Sequence, residues 1–307
     1  MVHYAHMSDI IGHKNILDFF QKVETRGTLS HAYCFTGPEH VGKRAVADFL
    51  ASRLLKVSRE KLFTSPDFSF VTREINEKTE KLRKDISIDQ IRRLISHLSS
   101  RAYVRDGYKV AIIDHAELLS TGASNALLKT LEKPTEKTIL FLITPDEHHL
   151  LSTIQSRSQM IHFSLVPQNI VYEYIDTQVS DLDIRELMKK YAYGMPGKVI
   201  SWIQNPEAFQ EYLDEYTRFE QLFGKSFHEK ISAVDDLFGD KTDHIMAREH
   251  LQDVLSMWHI ELHRRIIEYK NVDARIVAIE SKIRDAQKLL AQNVHPRLLV
   301  EQILLEI

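Results

Sequence analysis

Two stretches of this chain combine residue types at spacings that could do chemistry. The first is Thr36-Gly37-Pro38-Glu39-His40-Val41-Gly42-Lys43-Arg44, directly after the apolar run His31-Ala32-Tyr33-Cys34-Phe35. Glycines at that spacing let backbone N–H groups turn inward on a polyphosphate at the positive end of a helix, and the lysine reaches the outer phosphates. The following position calls for Ser or Thr, whose hydroxyl holds Mg2+, and here it is Arg44. The second stretch is Asp114-His115-Ala116-Glu117, closing another apolar run. In a nucleotide hydrolase an aspartate there organises the water shell of the metal, and a glutamate right after it activates the attacking water. His115 holds that second place; an imidazole can take a proton but brings no carboxylate charge beside a metal. Taken alone, Asp114 reads equally as a strand-end or helix-capping aspartate.

Positioning these groups takes strands that alternate with helices. The segment His31–Phe35 reads as a short buried strand and Arg44–Leu55 as the helix after the loop, while Ile16, Phe19, Phe20 and Val23 give an earlier helix over Asn15–Thr25. Further strands are expected at Phe68–Thr72, Tyr108–Asp114, Thr138–Thr144 and Gln159–Phe163, the last two as buried strands. Helices are expected to open within Ile86–Arg92, with Ser87 or Asp89 near the cap, and over Asn125–Lys133, stopped by Pro134. Continuous apolar strands belong in parallel sheets covered on both faces, with ligand at their carboxyl ends. After Pro167 the strand signals stop: short helices over 168–178, 183–193 and 197–203 are broken at Gly194-Met195-Pro196, and from Asn205 the pattern stays helical.

The totals narrow the class. At 307 residues, 43% hydrophobic and 27% charged, the chain is expected to hold two or three globular domains. No run of ~20 uncharged apolar residues offers a membrane crossing, and no secretory leader is read in the first residues; Met1–Asp9 reads as a loose start. One cysteine, Cys34, excludes a disulfide framework and fits a reducing cytoplasm. The net charge of −3 argues against a basic coat for nucleic acid. A local basic face stays open in Arg73–Lys109, with ten Lys or Arg against six Asp or Glu and Arg92 and Arg93 as candidates, although such a run is more often a solvated face. His259 and His263 stand four apart on a helix and His148-His149 in a loop; with no partner ligand evident, neither is taken as a metal site.

Residues spread along the chain carry a family likeness. They are Ile11-Gly12, His31-Ala32-Tyr33, Ser65-Pro66-Asp67, Ile86-Ser87-Ile88-Asp89-Gln90-Ile91-Arg92, Ser156-Arg157-Ser158, Pro296-Arg297-Leu298 and, most specific, the ten residues Asn125-Ala126-Leu127-Leu128-Lys129-Thr130-Leu131-Glu132-Lys133-Pro134. With these the chain resembles the clamp-loader branch of the AAA+ ATPases, and within it the delta-prime subunits of bacterial DNA polymerase III. The resemblance implies an α/β AAA+ domain over 1–166 with a parallel P-loop sheet, a small helical lid over 167–204 and an all-α collar over 205–307. It implies that Arg157 is an arginine finger acting in trans, stabilising charge on the phosphoryl group in an adjacent subunit. Ser158 stands where the family has cysteine.

The departures from the family bear on chemistry. Arg44, His115 and Gly197, the last at the place of the lid arginine, each remove a group that acts on Mg2+, on the water or on the outer phosphate. Lys198 is adjacent but projects about 100° away around a helix. The four-cysteine zinc module of many relatives is absent from Lys56–Pro66. The nucleotide site formed by Ile11, Gly37, Gly42, Lys43, Arg44 and Asp114 is therefore expected to be degenerate, with ATP or ADP weakly bound, no cofactor required and no metal. The implied partners are gamma or tau and delta subunits in a ring, with the sliding clamp and primed DNA reached through the complex, in the cytoplasm and away from membranes. An active gamma/tau-like ATPase tolerating Arg44 and His115, or another AAA+ regulator, is the alternative.

Overall fold

The computed structural model describes residues 10–238, 244–268, 273–291 and 294–307. The chain divides into two units, one running to Asn76 and over Arg83–Gln204, the other comprising Glu77–Leu82 and Asn205–Ile307.

The first unit is built as α1 (Lys14–Thr25), β1 (Ala32–Thr36), α2 (Lys43–Leu55), a 3-10 turn (Arg59–Thr64), β2 (Phe68–Val71), α3 (Ile88–Ser99), β3 (Lys109–Ile113), α4 (Thr121–Glu132), β4 (Thr138–Thr144), α5 (Ser152–Gln155), β5 (Gln159–His162), α6 (Gln168–Gln178), α7 (Leu182–Tyr191) and α8 (Pro196–Gln204). The five strands form one parallel sheet in the order β2-β3-β4-β1-β5. Because successive side chains point to opposite faces, each apolar strand supplies two cores. Tyr33, Phe35, Phe141 and Ile112 pack with Phe20 of α1 and Phe49 of α2 on one face. Cys34, Ile113, Leu140 and Leu142 pack with Ile91, Leu94 and Leu98 of α3 and Leu127 of α4 on the other.

Local chemistry sets the helix starts. Ser87 caps α3 by accepting from the Gln90 N–H, and the Gln90 side chain accepts from the Ser87 N–H, a reciprocal capping box. In α4 the cap is Ser120, whose Oγ accepts from the Ala123 N–H, so the helix begins four residues before the expected Asn125. Gly122 inside the first turn hid that start. β5 also departs from expectation. It ends at His162 and pairs only with β1, so as an edge strand it leaves Gln159 and His162 exposed rather than buried.

The second unit is helical: α9 (Pro206–Leu222), α10 (Phe227–Val234), α11 (His244–Glu268), α12 (Ala274–Ala291) and α13 (Pro296–Glu306). Its core holds Leu251, Leu255 and Leu262 of α11 with Ile279, Ile283, Val300 and Ile303. Trp258 stacks on Phe219 at 4.9 Å and donates its indole N–H to Glu215 at 3.0 Å. Among the described residues no helix is long and apolar enough to cross a membrane.

Candidate functional site

The carboxyl ends of β1 and β3 bring the two sequence stretches together. β1 delivers the chain to Gly37, where φ is +134° and a Cβ would fall 2.1 Å from the Phe163 carbonyl oxygen, so no other residue fits. The loop then turns into α2 through Gly42, its N-cap. Among the described residues, the amides from Glu39 to Arg44 donate to no backbone carbonyl. They remain available to an acceptor at the positive end of α2.

Lys43 is buried, and its Nζ turns back on the loop to donate to the carbonyls of Gly37 and, at 2.7 Å, Pro38. Burial pushes its pKa below the ordinary lysine value against the pull of Glu39, Glu117 and Asp114. Arg44 reaches Asp114 instead of offering a hydroxyl. Its Nη1 donates to Asp114 Oδ2 at 3.1 Å and its Nε to Asp48 Oδ1 at 2.8 Å. The guanidinium lies 3.7 Å from the centre of the Phe70 ring and 5.6 Å from that of Phe63. A cation over aromatic faces beside two carboxylates is held by charge and ring quadrupole together. Burial raises the pKa of Asp48 despite its bond to Arg44.

His115, the residue after Asp114, sits at φ 53° with its Nδ1 3.1 Å from Glu117 Oε1. That hydrogen bond raises its pKa above 6.5, outweighing burial. The other Glu117 oxygen is buried without a partner.

Two further segments close on the loop. Ile11 is half-buried before α1, and close by His13 is 2.7 Å through Nε2 from the Val41 carbonyl and packs edge-on to Phe163. At the start of α8, the Gly197 N–H donates to the His40 carbonyl at 2.8 Å, and a Cβ on Gly197 would lie 2.8 Å from that same oxygen. Backbone therefore meets backbone where the resemblance led to the expectation of an arginine. Lys198 lies over Trp202 at 5.7 Å. Burial, helped by Lys198 and Lys43, lowers the His40 pKa.

Arg157 stands apart from this cluster. Its Nη1 donates to Thr153 O at 3.0 Å and Ser156 Oγ at 3.3 Å, and its Nη2 to Glu132 Oε1 at 2.9 Å. Arg92 and Arg93, the candidates for a phosphate-facing surface, pair with Asp89 at 3.4 Å and with Glu74. His259 is 3.5 Å from Glu280, and His148 and His149 lie in a short turn. Among the described residues no cluster of His, Cys, Asp and Glu has the arrangement of a metal site. Sequence reasoning missed Phe63, Phe70, His13 and Glu132, because each meets its partner only through the fold; it also missed Asp48, which four residues after Arg44 on one helix gave a readable signal.

Comparisons with known proteins agree with this architecture. The family model described as DNA polymerase III, delta subunit, matches residues 12–167, half of the chain. The DNA polymerase III subunit delta' of Pseudomonas aeruginosa is 36% identical over 146 residues, which are 43% of this chain and 42% of that one, so the match spans less than half of that relative's length. The Replication factor C small subunit of Haloarcula marismortui is 24% identical over 97% of this chain and 90% of its own. Among solved structures, a DNA polymerase III gamma subunit-related protein from Thermotoga maritima shares the fold, with a TM-score of 0.52 and 18% identity over 94% of this chain and 97% of its own. The sheet order and flanking helices are those of an AAA+ domain followed by a helical region. With the family model matching half of its length and delta' proteins among its relatives, the chain belongs to the DNA polymerase III delta-subunit family.

Proposed function

We propose that this chain is a delta'-like subunit of a bacterial clamp loader that does not itself hydrolyse ATP. It takes its place in a ring with gamma- or tau-type and delta-type subunits and lends Arg157 to the neighbouring ATPase. In this reading residues 1–166 are the AAA+ domain, 167–204 the lid and 205–307 the collar through which subunits pack. The loader acts in the cytoplasm on a sliding clamp and primed DNA. The relatives named delta', tau and Replication factor C support the loader assignment.

The observation that carries the non-hydrolysing part is the bond from Arg44 to Asp114. A carboxylate already paired with a guanidinium 3.1 Å away has its field offset and one oxygen engaged, which leaves it a poor organiser of the water around Mg2+, and no hydroxyl follows Lys43 to ligate the ion. The residues present do not fit that metal. His115 supplies no carboxylate for a water, and Gly197 supplies no cation for an outer phosphate. ATP or ADP binds weakly at the loop and is not required for the role.

The test is ATP turnover. Purified chain is expected to show background hydrolysis only; turnover well above background that Lys43→Ala abolishes would establish an active ATPase and defeat the reading. In the reconstituted ring, Arg157→Ala is expected to leave assembly intact and to lower the partner's ATPase. An unchanged rate would remove the finger.

A further inference from the structure

Arg157 follows α5, a helix of only four residues, and two of its three intrachain acceptors, Thr153 O and Ser156 Oγ, belong to that same short turn. They move with it and cannot aim it. The third acceptor, Glu132, is different. It closes α4, a helix of 12 residues whose Ala123, Leu127 and Leu131 are buried in the core under the sheet. Among the described residues, Glu132 is the one tie from the guanidinium to a rigid element.

Glu132 is also placed against its own helix. A carboxylate in the last turn faces the negative end of the helix dipole and is disfavoured there unless a cation answers it. Arg157 answers it at 2.9 Å across a separation of 25 residues. Of the five N–H donors of the guanidinium, Nε–H and one Nη2–H have no acceptor among the described residues. The guanidinium therefore keeps N–H groups that it can offer to phosphoryl oxygens.

We infer that Glu132 is a positioning residue for Arg157: it fixes the guanidinium to the frame of α4 before a neighbour's phosphate arrives, so that the ordering entropy of a long side chain is not lost at the moment of docking. This rests on the proposed donation of Arg157 to a neighbouring subunit.

The test is made in the ring reconstituted with its gamma- or tau-type and delta-type partners. Glu132→Ala is expected to lower kcat for ATP about three- to tenfold, the freedom of one side chain, with KM for ATP unchanged. Glu132→Gln keeps an acceptor oxygen and is expected to recover most of the rate. Arg157→Ala is expected to lose more, and the double variant Glu132→Ala/Arg157→Ala no more than Arg157→Ala alone, because one residue acts through the other. Ring assembly, followed by sedimentation, is expected to be the same throughout. A wild-type or faster Glu132→Ala ring beside an impaired Arg157→Ala ring overturns the positioning role and leaves the finger standing. Losses that add in full overturn it too, as does a ring that neither Glu132 variant can assemble. If Arg157→Ala itself leaves the rate unchanged, the donation falls, and the positioning with it.

Discussion

Nη1 of Arg44 lies 3.1 Å from Oδ2 of Asp114, joining the first turn of α2 to the end of β3 across 70 residues of sequence. The guanidinium is shared with Asp48 and faces Phe70, so it is locked from three sides. Arg44→Ala is expected to destabilise the chain by about 2 kcal/mol, mostly from the lost cation–π contact, with the partly exposed ion pairs adding less. Asp114→Asn should cost under about 1 kcal/mol, since Asp48 and Phe70 still hold the arginine. Urea unfolding curves check both; a neutral Arg44→Ala would mean the cluster does not stabilise the fold.

Gly197 tests the contact of α8 with the loop that precedes α2. Gly197→Arg introduces the cation that the sequence resemblance leads one to expect here, yet its Cβ would meet the His40 carbonyl at 2.8 Å. Backbone must move to make room, and the variant is expected to lose about 1–3 kcal/mol in thermal unfolding with no gain in ATP turnover. An unchanged melting temperature would show that α8 is free to move off the loop.

The His115 pKa is raised above 6.5, chiefly by its hydrogen bond to Glu117. A group whose pKa is higher in the folded state adds stability that is complete below the unfolded value and lost as pH rises through the folded one. Proton NMR titration of the imidazole should place its midpoint above 6.5. Glu117→Gln should bring the midpoint down, since burial then works against a weaker counterweight. A midpoint that ignores Glu117→Gln would contradict the assignment.

Asp67 is buried, and its carboxylate accepts from the Tyr103 N–H at 2.8 Å and the Val104 N–H at 3.2 Å. It pins a loop whose Tyr103 and Val104 side chains are exposed. Asp67→Ala leaves both amides without their charged acceptor and is expected to cost about 2–3 kcal/mol. Hydrogen exchange at Tyr103 and Val104 should quicken while β3 stays protected. Equal protection in both proteins would assign the loop's order to other contacts.

Legibility followed the range of the interactions. The strand runs were readable because a doubly covered parallel strand carries a continuous apolar run, as in Ile139–Ile143 of β4, where every residue is buried. The loop between β1 and α2 was readable because its glycine spacing and lysine sit within one local segment, and Ser87 announced α3 through a cap three residues long. The start of α4 was hidden by Gly122, and the exposure of β5 by its apolar Met160 and Ile161, since edge or interior depends on which strands lie beside it.

By itself the sequence determined the α/β alternation, the loop that leaves β1 and the side chains available at Arg44, His115 and Gly197, all matters of residue type and short spacing. Only the tertiary structure decided that Arg44 would reach Asp114 and Phe70, that Gly197 would touch His40, and that Glu132 would hold Arg157. Those pairings depend on strand order and helix packing, which bring distant segments within bonding distance and which no local pattern encodes.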